Sequence, residues 1–137
     1  MLSWVIPDKL AGSHRPGYYS VERGKTVPRA EIDAWLAGVR TFGIKSIICL
    51  LSDDQLPLYD QLPSGLIAHY RSEGFRVEHV PAQDHQDPPL TQDHLSRIWS
   101  AYEALPKPVL VHCSAGIDRT GLAVSHIQLK LGAGAEI

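Results

Sequence analysis

One stretch decides how this sequence folds, namely Val109-Leu110-Val111-His112-Cys113-Ser114-Ala115-Gly116-Ile117-Asp118-Arg119-Thr120-Gly121. Its first three residues form a short apolar run that is typical of a buried strand. From Gly121 to Leu131 the chain is again mainly apolar, which predicts a helix that is buried on nearly every side. The residues from Cys113 to Arg119 therefore form a tight loop that leads from a strand into the N-terminus of a helix.

Such a loop is suited to binding a phosphate group. The backbone N–H groups at a helix N-terminus point outward together, and the helix dipole adds partial positive charge there. Gly116 and its small neighbours let the backbone come close to phosphate oxygens. The residues that we predict to bind phosphate are Ser114, Ala115, Gly116, Ile117, Asp118 and Arg119.

The side chains of the same stretch have the chemistry of phosphate transfer. The field of the loop favours a thiolate, so Cys113 is the candidate nucleophile. The guanidinium of Arg119 can bind two phosphate oxygens in a fork, which a lysine does not reproduce. The hydroxyl of Thr120 can donate to the thiolate when it leaves, and His112 is a candidate supporting residue.

Hydrolysis by this route also needs an acid that protonates the leaving oxygen and a base that then activates water. The polar loop 83–89 follows a strand predicted over Phe75–Val80 and carries two candidates, Asp84 and Asp87. A carboxylate there can reach the mouth of the phosphate pocket from the side. Asp87 precedes a proline, a position that suits a turn.

Apolar runs and helical patterns alternate along the chain, which predicts an α/β domain with a largely parallel sheet. The predicted strands are Trp4–Ile6, Leu10–Ala11, Ser46–Leu51, Phe75–Val80 and Val109–Val111. The predicted helices are Ala30–Thr41, a segment from Pro63 to Gly74, a segment capped by Thr91, and Gly121–Leu131. The polar stretch from Arg15 to Val27, with its glycine and proline, is predicted to be a loop.

Composition narrows the classes of function. With 137 residues, 44% apolar content and a net charge of −2, the chain suits one globular domain without a surface for nucleic acid. We expect no signal peptide and no membrane span. Two cysteines make no disulfide framework, so we expect a cytoplasmic protein. The seven histidines are scattered, and we expect neither a metal site nor a cofactor.

The stretch 112–121 resembles the signature of the protein tyrosine phosphatase superfamily. The segments Ser3–Pro7 and Leu10–Gly12 resemble the opening of small, atypical VHZ-type dual-specificity phosphatases. Val80-Pro81-Ala82-Gln83-Asp84 resembles their general-acid loop, which favours Asp84 over Asp87 as the acid.

This resemblance implies metal-free hydrolysis in two steps through a phosphocysteine. It implies a central sheet of four or five strands flanked by helices, in one domain over residues 1–137. We expect that domain to lack the C-terminal helices of the family. The expected partner is a phosphorylated protein or peptide, with phosphate, sulfate or vanadate as ligand or inhibitor.

The substrate class is the main question that the sequence leaves open. Phosphotyrosine is favoured, with phosphoserine and phosphothreonine possible, because Ile117 can pack against an aromatic ring and the acid loop has no lysine or arginine. A phosphoinositide or inositol-phosphate phosphatase is one alternative, for which Arg15, Arg23 or Lys25 would have to supply charge. A pseudophosphatase that only binds phosphate is another.

Cys49 is the second cysteine, on a predicted strand. Some relatives hold a second cysteine that traps the oxidised nucleophile as a disulfide. A buried and inert core cysteine is the alternative that we favour.

Overall fold

The computed structural model of the protein describes residues 2–135, which contain five strands and four α-helices. In chain order these elements are β1 (Ser3–Ile6), β2 (Leu10–Ser13), α1 (Arg29–Thr41), β3 (Ser46–Cys49), α2 (Gly65–Ser72), β4 (Arg76–His79), α3 (Gln92–Ala104), β5 (Val109–His112) and α4 (Asp118–Ala135). All the predicted strands and helices are present, with ends that differ by a few residues. A 3-10 helix at Leu56–Tyr59 was not predicted.

The strands form one sheet in the order β1-β2-β5-β3-β4. β1 runs antiparallel to β2, and the remaining neighbours are parallel. The prediction of a mostly parallel sheet of four or five strands, flanked by helices, is confirmed.

The strands at the centre of the sheet are covered on both faces. In β3, Ile47 belongs to the apolar cluster beneath α1 and α2, while Ile48 belongs to the cluster beneath α3 and α4. Successive side chains of a strand point to opposite faces, so a continuous apolar run is what a doubly covered strand requires.

The start of α3 agrees with its predicted cap. The backbone N–H of His94 donates to Thr91 Oγ1 over 3.2 Å, and the N–H of Thr91 donates to His94 Nδ1 over 3.1 Å. Both bonds satisfy N–H groups that the helix itself leaves free.

The prediction that the last helix is buried on nearly every side is wrong. α4 begins three residues earlier than predicted and packs on α3, β2 and β5 with one side. Ala123 and Ile127 are fully buried there, whereas Leu129 is 71% exposed. No described element covers its outer side. Among residues 2–135, no helix is both long and apolar enough to cross a bilayer.

Candidate active site

The site lies at the edge of the sheet where the parallel strands end. In the register of the sheet, His112 at the end of β5 stands beside Ser13 of β2 and Cys49 of β3. The carboxyl ends of parallel strands lie at one edge, so the segments that follow β2, β3 and β5 meet there. Each of these segments contributes polar groups to the site.

Residues 113–117 form the loop between β5 and α4 that the sequence predicts to bind phosphate, and it is called the phosphate loop below. Gly116 has a φ of +77°, and a Cβ on it would lie 2.6 Å from the backbone of Ser13 and His14. Glycine is thus required because the loop packs against the chain that follows β2. The sequence-based reason, close approach to phosphate oxygens, did not include this contact.

Arg119 lies in the first turn of α4 and is only 1% exposed. Its Nη1 donates to three acceptors from two other loops. These are the carbonyl of Leu50 at 3.2 Å, Gln55 Oε1 at 2.9 Å and the carbonyl of Ala82 at 2.7 Å. One end of the guanidinium is therefore fixed by the protein.

The other end of the same guanidinium makes no hydrogen bond to the described residues. Arg119 Nε and Nη2 are buried and have no hydrogen-bond partner among the described residues. Nη2 does lie 3.2 Å from Asp84 Oδ2, as an ion pair without the geometry of a hydrogen bond. The hydroxyl of Thr120 is likewise buried without a partner. Buried donors without partners are costly, so these atoms mark a place for an acceptor.

The structure brings Asp84, and not Asp87, to this guanidinium. The Asp84 side chain is 29% exposed, and its Oδ1 accepts a bond of 3.0 Å from the N–H of His85. Asp87 is exposed and lines a cavity of about 500 Å³ together with Pro81 and His94. Asp84 therefore lies beside Arg119, and its role as the acid stays a prediction.

The site contains a cysteine on a tight loop, an arginine in the first turn of the helix that follows, and a carboxylate beside the arginine. A family model described as "Polymorphic toxin system, DSP-PTPase phosphatase" (Tc-R-P) matches residues 24–133. The chain belongs to this phosphatase family. It is therefore a hydrolase, a cysteine phosphatase of the protein tyrosine phosphatase superfamily, small and similar to the dual-specificity members.

Solved structures with the same fold are also phosphatases. A mutant form of Tk-PTP matches with a TM-score of 0.62 at 20% identity, over 96% of this chain and 73% of that one. The core catalytic domain of the PP-IP phosphatase SIW14 from S. cerevisiae, in complex with citrate, matches with a TM-score of 0.52 at 20% identity. That match covers 90% of this chain and 61% of the SIW14 domain. No curated protein sequence matches the chain.

His112 lies beneath the phosphate loop of this phosphatase and is fully buried. Its Nδ1 is 3.0 Å from the carbonyl of Cys113, and its Nε2 is 3.0 Å from the hydroxyl of Tyr70. A carbonyl only accepts, so Nδ1 carries the proton and Nε2 accepts from Tyr70. Burial lowers the pKa of His112 to about 4, so the ring is neutral at pH 7.

The remaining residues of the loop differ in exposure. Ser114 Oγ accepts a bond of 3.2 Å from Arg15 Nε, and Ala115 is half-buried. Ile117 is 65% exposed, and Asp118 is exposed at the first position of α4. Apolar and acidic side chains therefore lie on the outer side of the loop.

Sequence reasoning missed two residues that the structure brings to the site. Gln55 holds Arg119 and also accepts from the N–H of Ser52 over 3.2 Å. Arg15, named only as a distant cation, lies against Ser114. Both follow parallel strands at their carboxyl ends, and that position is the signal that could have identified them.

Cys49 is fully buried in β3, and both cysteines are free thiols. Burial raises the pKa of Cys49 to about 12, which keeps it protonated and unreactive at neutral pH. This agrees with the interpretation of Cys49 as an inert core residue.

One of the histidines, which were expected to be scattered, lies in a cluster with two carboxylates. Ligand atoms of Asp33, His69 and Glu73 lie within 4.8 Å of one another. His69 Nε2 is 3.2 Å from Asp33 Oδ1, and Glu73 forms an ion pair with Arg40. These contacts already satisfy the groups as a surface network.

Proposed function

We propose that this phosphatase hydrolyses phosphotyrosine in proteins through a phosphocysteine on Cys113, with phosphoserine and phosphothreonine as slower substrates. The observation that carries the chemistry is the set of buried donors without partners, on Arg119 and Thr120, directly after the loop that begins at Cys113. Two arginine nitrogens match two phosphate oxygens, and the hydroxyl is available to a thiolate.

In the first step the Cys113 thiolate attacks phosphorus, and the bond from phosphorus to the ester oxygen breaks. Arg119 Nε and Nη2 bind two equatorial oxygens, and the backbone N–H groups of the loop bind the developing charge. Asp84 gives its proton to the leaving oxygen, so a neutral phenol departs.

In the second step a water molecule attacks the phosphocysteine. The Asp84 carboxylate takes a proton from that water, the phosphorus–sulfur bond breaks, and inorganic phosphate forms. The sulfur leaves as a thiolate, which the hydroxyl of Thr120 stabilises by donating to it. The enzyme returns to its starting state with the proton back on Asp84.

The ion pair between Asp84 and Arg119 gives this cycle an order of events. In the structure the carboxylate of Asp84 lies 3.2 Å from Nη2 of Arg119, one of the two nitrogens that would bind phosphate. A phosphate dianion competes for the same nitrogens of Arg119 and would release Asp84 from them. Phosphate binding would therefore precede the movement of Asp84 towards the leaving oxygen.

The surroundings of the loop support an aromatic monoester as substrate. Exposed Ile117 offers apolar contact to a ring, and Asp118 repels additional phosphate groups. Beside the loop, an apolar cavity of about 690 Å³ is lined by residues that include His14, Tyr19, Trp35 and Phe42. Such a cavity suits a peptide better than a highly charged ring.

The alternative of an inositol-phosphate substrate has support from the fold neighbour SIW14, which is described as a PP-IP phosphatase. Two of the three cations named for such a substrate, Arg15 and Arg23, are engaged elsewhere. Arg15 is buried behind the loop, and the guanidinium of Arg23 lies 3.7 Å from the ring centre of Tyr18. A thiolate nucleophile needs reducing surroundings, which supports action in the cytoplasm.

A panel of substrates, compared by kcat/KM at one ionic strength, tests the proposal. We expect phosphotyrosine peptides to exceed phosphoserine peptides and phosphoinositides. A phosphoinositide that exceeded the best phosphotyrosine peptide tenfold would overturn the proposed class. Failure to hydrolyse even a small aryl phosphate, without added metal, would instead support a pseudophosphatase.

A further inference from the structure

Arg15 is a buried cation whose charge has no matching carboxylate. Its side chain is only 3% exposed, and none of the ion pairs among the described residues involves it. Its bonds go to neutral acceptors, namely Ser114 Oγ at 3.2 Å, Tyr59 OH at 3.3 Å and the carbonyl of Pro16 at 3.4 Å. A buried charge without an opposite charge is costly, so its location needs an explanation.

The neighbours of Arg15 do not provide the missing negative charge. Burial raises the pKa of Tyr59 to about 12, so its phenol is neutral, and its hydroxyl donates to the carbonyl of Pro16 over 2.8 Å. Tyr18 contributes only a ring face, whose centre is 5.6 Å from the guanidinium carbon of Arg15. Dipoles and π electrons lower the cost of the charge but do not cancel it.

The phosphate loop is where negative charge develops near Arg15. Besides the side-chain bond to Ser114, the backbone N–H of Arg15 donates to the Ser114 carbonyl over 2.9 Å. Ser114 follows Cys113 directly, so the guanidinium lies behind the peptide that carries the nucleophile. The preceding residue, His14, also packs on the loop at Gly116.

We propose that Arg15 is a positioning residue for catalysis, which fixes the phosphate loop through Ser114 and stabilises both the Cys113 thiolate and the bound phosphate by its buried charge. It acts from behind the loop and does not touch the phosphate. Arg119 is then the cation that binds the anion, and Arg15 is a second cation that acts through the loop. This inference relies on the proposed role of Cys113 but not on the identity of the substrate.

The test compares the variants Arg15→Gln and Arg15→Lys, with Tyr59→Phe as a matched control. Tyr59→Phe removes one bond of Arg15 and disturbs the same buried place, while the charge stays. The first readout is the pH at which alkylation of Cys113 by iodoacetate reaches half its maximal rate. The second is inhibition of aryl phosphate hydrolysis by inorganic phosphate, and thermal unfolding reports on stability.

For Arg15→Gln we expect the alkylation midpoint to rise by about one pH unit and inhibition by phosphate to weaken about tenfold. Arg15→Lys keeps the charge, so its midpoint should stay near that of the wild type while turnover falls. Tyr59→Phe should lower the unfolding temperature without moving the midpoint. If Arg15 had only a structural role, the alkylation midpoint would not depend on whether the substituted residue keeps the positive charge.

Two results would overturn the proposal. One is a folded Arg15→Gln variant with the wild-type midpoint and wild-type inhibition by phosphate. If Arg15→Gln does not fold, Arg15→Lys decides, because a midpoint raised by a full unit despite the retained charge excludes an electrostatic role. Failure of the proposed function looks different, since iodoacetate would then leave the wild-type Cys113 unmodified or the activity unchanged.

Discussion

The phosphate loop and the candidate acid loop lie in very different surroundings. Cys113, Arg119 and Thr120 are buried where the central strand β5 leads into helix α4. The acid loop, 83–87, belongs to no helix or strand and is largely exposed. Its buried flanks, Ala82 and Leu90, hold the two ends of the segment.

Because of this difference, anion binding and proton transfer can be tested separately. Anion binding needs several donors at fixed positions, so it requires a rigid and buried frame. Proton transfer needs one carboxylate that can leave Arg119 when phosphate arrives. Substitutions in the phosphate loop should therefore slow the hydrolysis of every substrate. Substitutions in the acid loop should slow hydrolysis to a degree that depends on the leaving group.

The largest effect is expected for the nucleophile. Cys113→Ser should abolish turnover yet keep phosphate binding, because a serine hydroxyl does not ionise at neutral pH while the N–H groups of the loop remain. Turnover is measured with a small aryl phosphate, and binding by stabilisation of the variant against heat by inorganic phosphate. Appreciable residual turnover in Cys113→Ser would mean that the phosphate loop is not the reaction centre.

Asp84→Asn tests the acid loop. We expect kcat to fall by about 10² to 10⁴ with substrates that have poor leaving groups, and the alkaline limb of the pH profile to flatten. With an activated aryl phosphate the loss should be much smaller, since its leaving group needs little protonation.

Asp87→Asn is the matched control, in the same loop and with the same change of charge. We expect it to alter kcat far less than Asp84→Asn. Were Asp87 the more damaging position, the choice of Asp84 would be wrong and the loop would act in another conformation.

A feature could be predicted from the sequence when the residues that form it are adjacent in the chain. Strand, loop and helix around Cys113 are contiguous, so periodicity and small residues suffice to find them. Gln55 and Arg15 are different, because their role depends on β2 and β3 being the neighbours of β5. Strand order is a property of the whole sheet, and no local pattern encodes it.

The error about α4 has a similar origin. Leu129 is apolar and lies in a helix, but whether it is buried depends on which other element covers that side. Periodicity identifies the apolar side of a helix but does not identify the element that packs against that side. The identity of Gly116 is a further example, since the contact that requires glycine is made with residues about a hundred positions earlier.

A smaller effect should follow from Gln55→Ala, which tests how rigidly Arg119 must be held. The variant removes one of the three acceptors of Nη1, so we expect kcat/KM to fall about tenfold, as for the loss of one hydrogen bond to a charged group. Steady-state kinetics with an aryl phosphate measure it. Gln61→Ala, the same change at an exposed position, should have no effect.

Gln55→Glu sharpens the same test, because it keeps the acceptor and adds a negative charge beside Arg119. We expect phosphate to inhibit this variant less than the wild type, since the new carboxylate competes with the anion. Equal activity of all the Gln55 variants would show that Arg119 is held well enough by the carbonyls of Leu50 and Ala82.

The last prediction concerns stability rather than rate, and it tests the frame beneath the phosphate loop. The pKa of His112 is about 4 in the folded protein, below the ordinary value of 6.5. Between these two values His112 is protonated in the unfolded chain but neutral in the folded protein. The stability contributed by neutral His112 is therefore lost as pH falls from about 6.5 towards 4. The contribution is about 1.4 kcal/mol per pH unit at most.

Urea unfolding at several pH values in this window measures the slope for the wild type and for His112→Gln. The variant should be less stable at pH 7, because it loses the bonds to Tyr70 and to the Cys113 carbonyl, yet its stability should fall less steeply on acidification. Tyr70→Phe is the control, since it keeps the buried imidazole and should keep the steep slope. Parallel slopes for the wild type and His112→Gln would mean that other groups, such as His14, account for the acid sensitivity. The frame under the phosphate loop would then tolerate a charged imidazole.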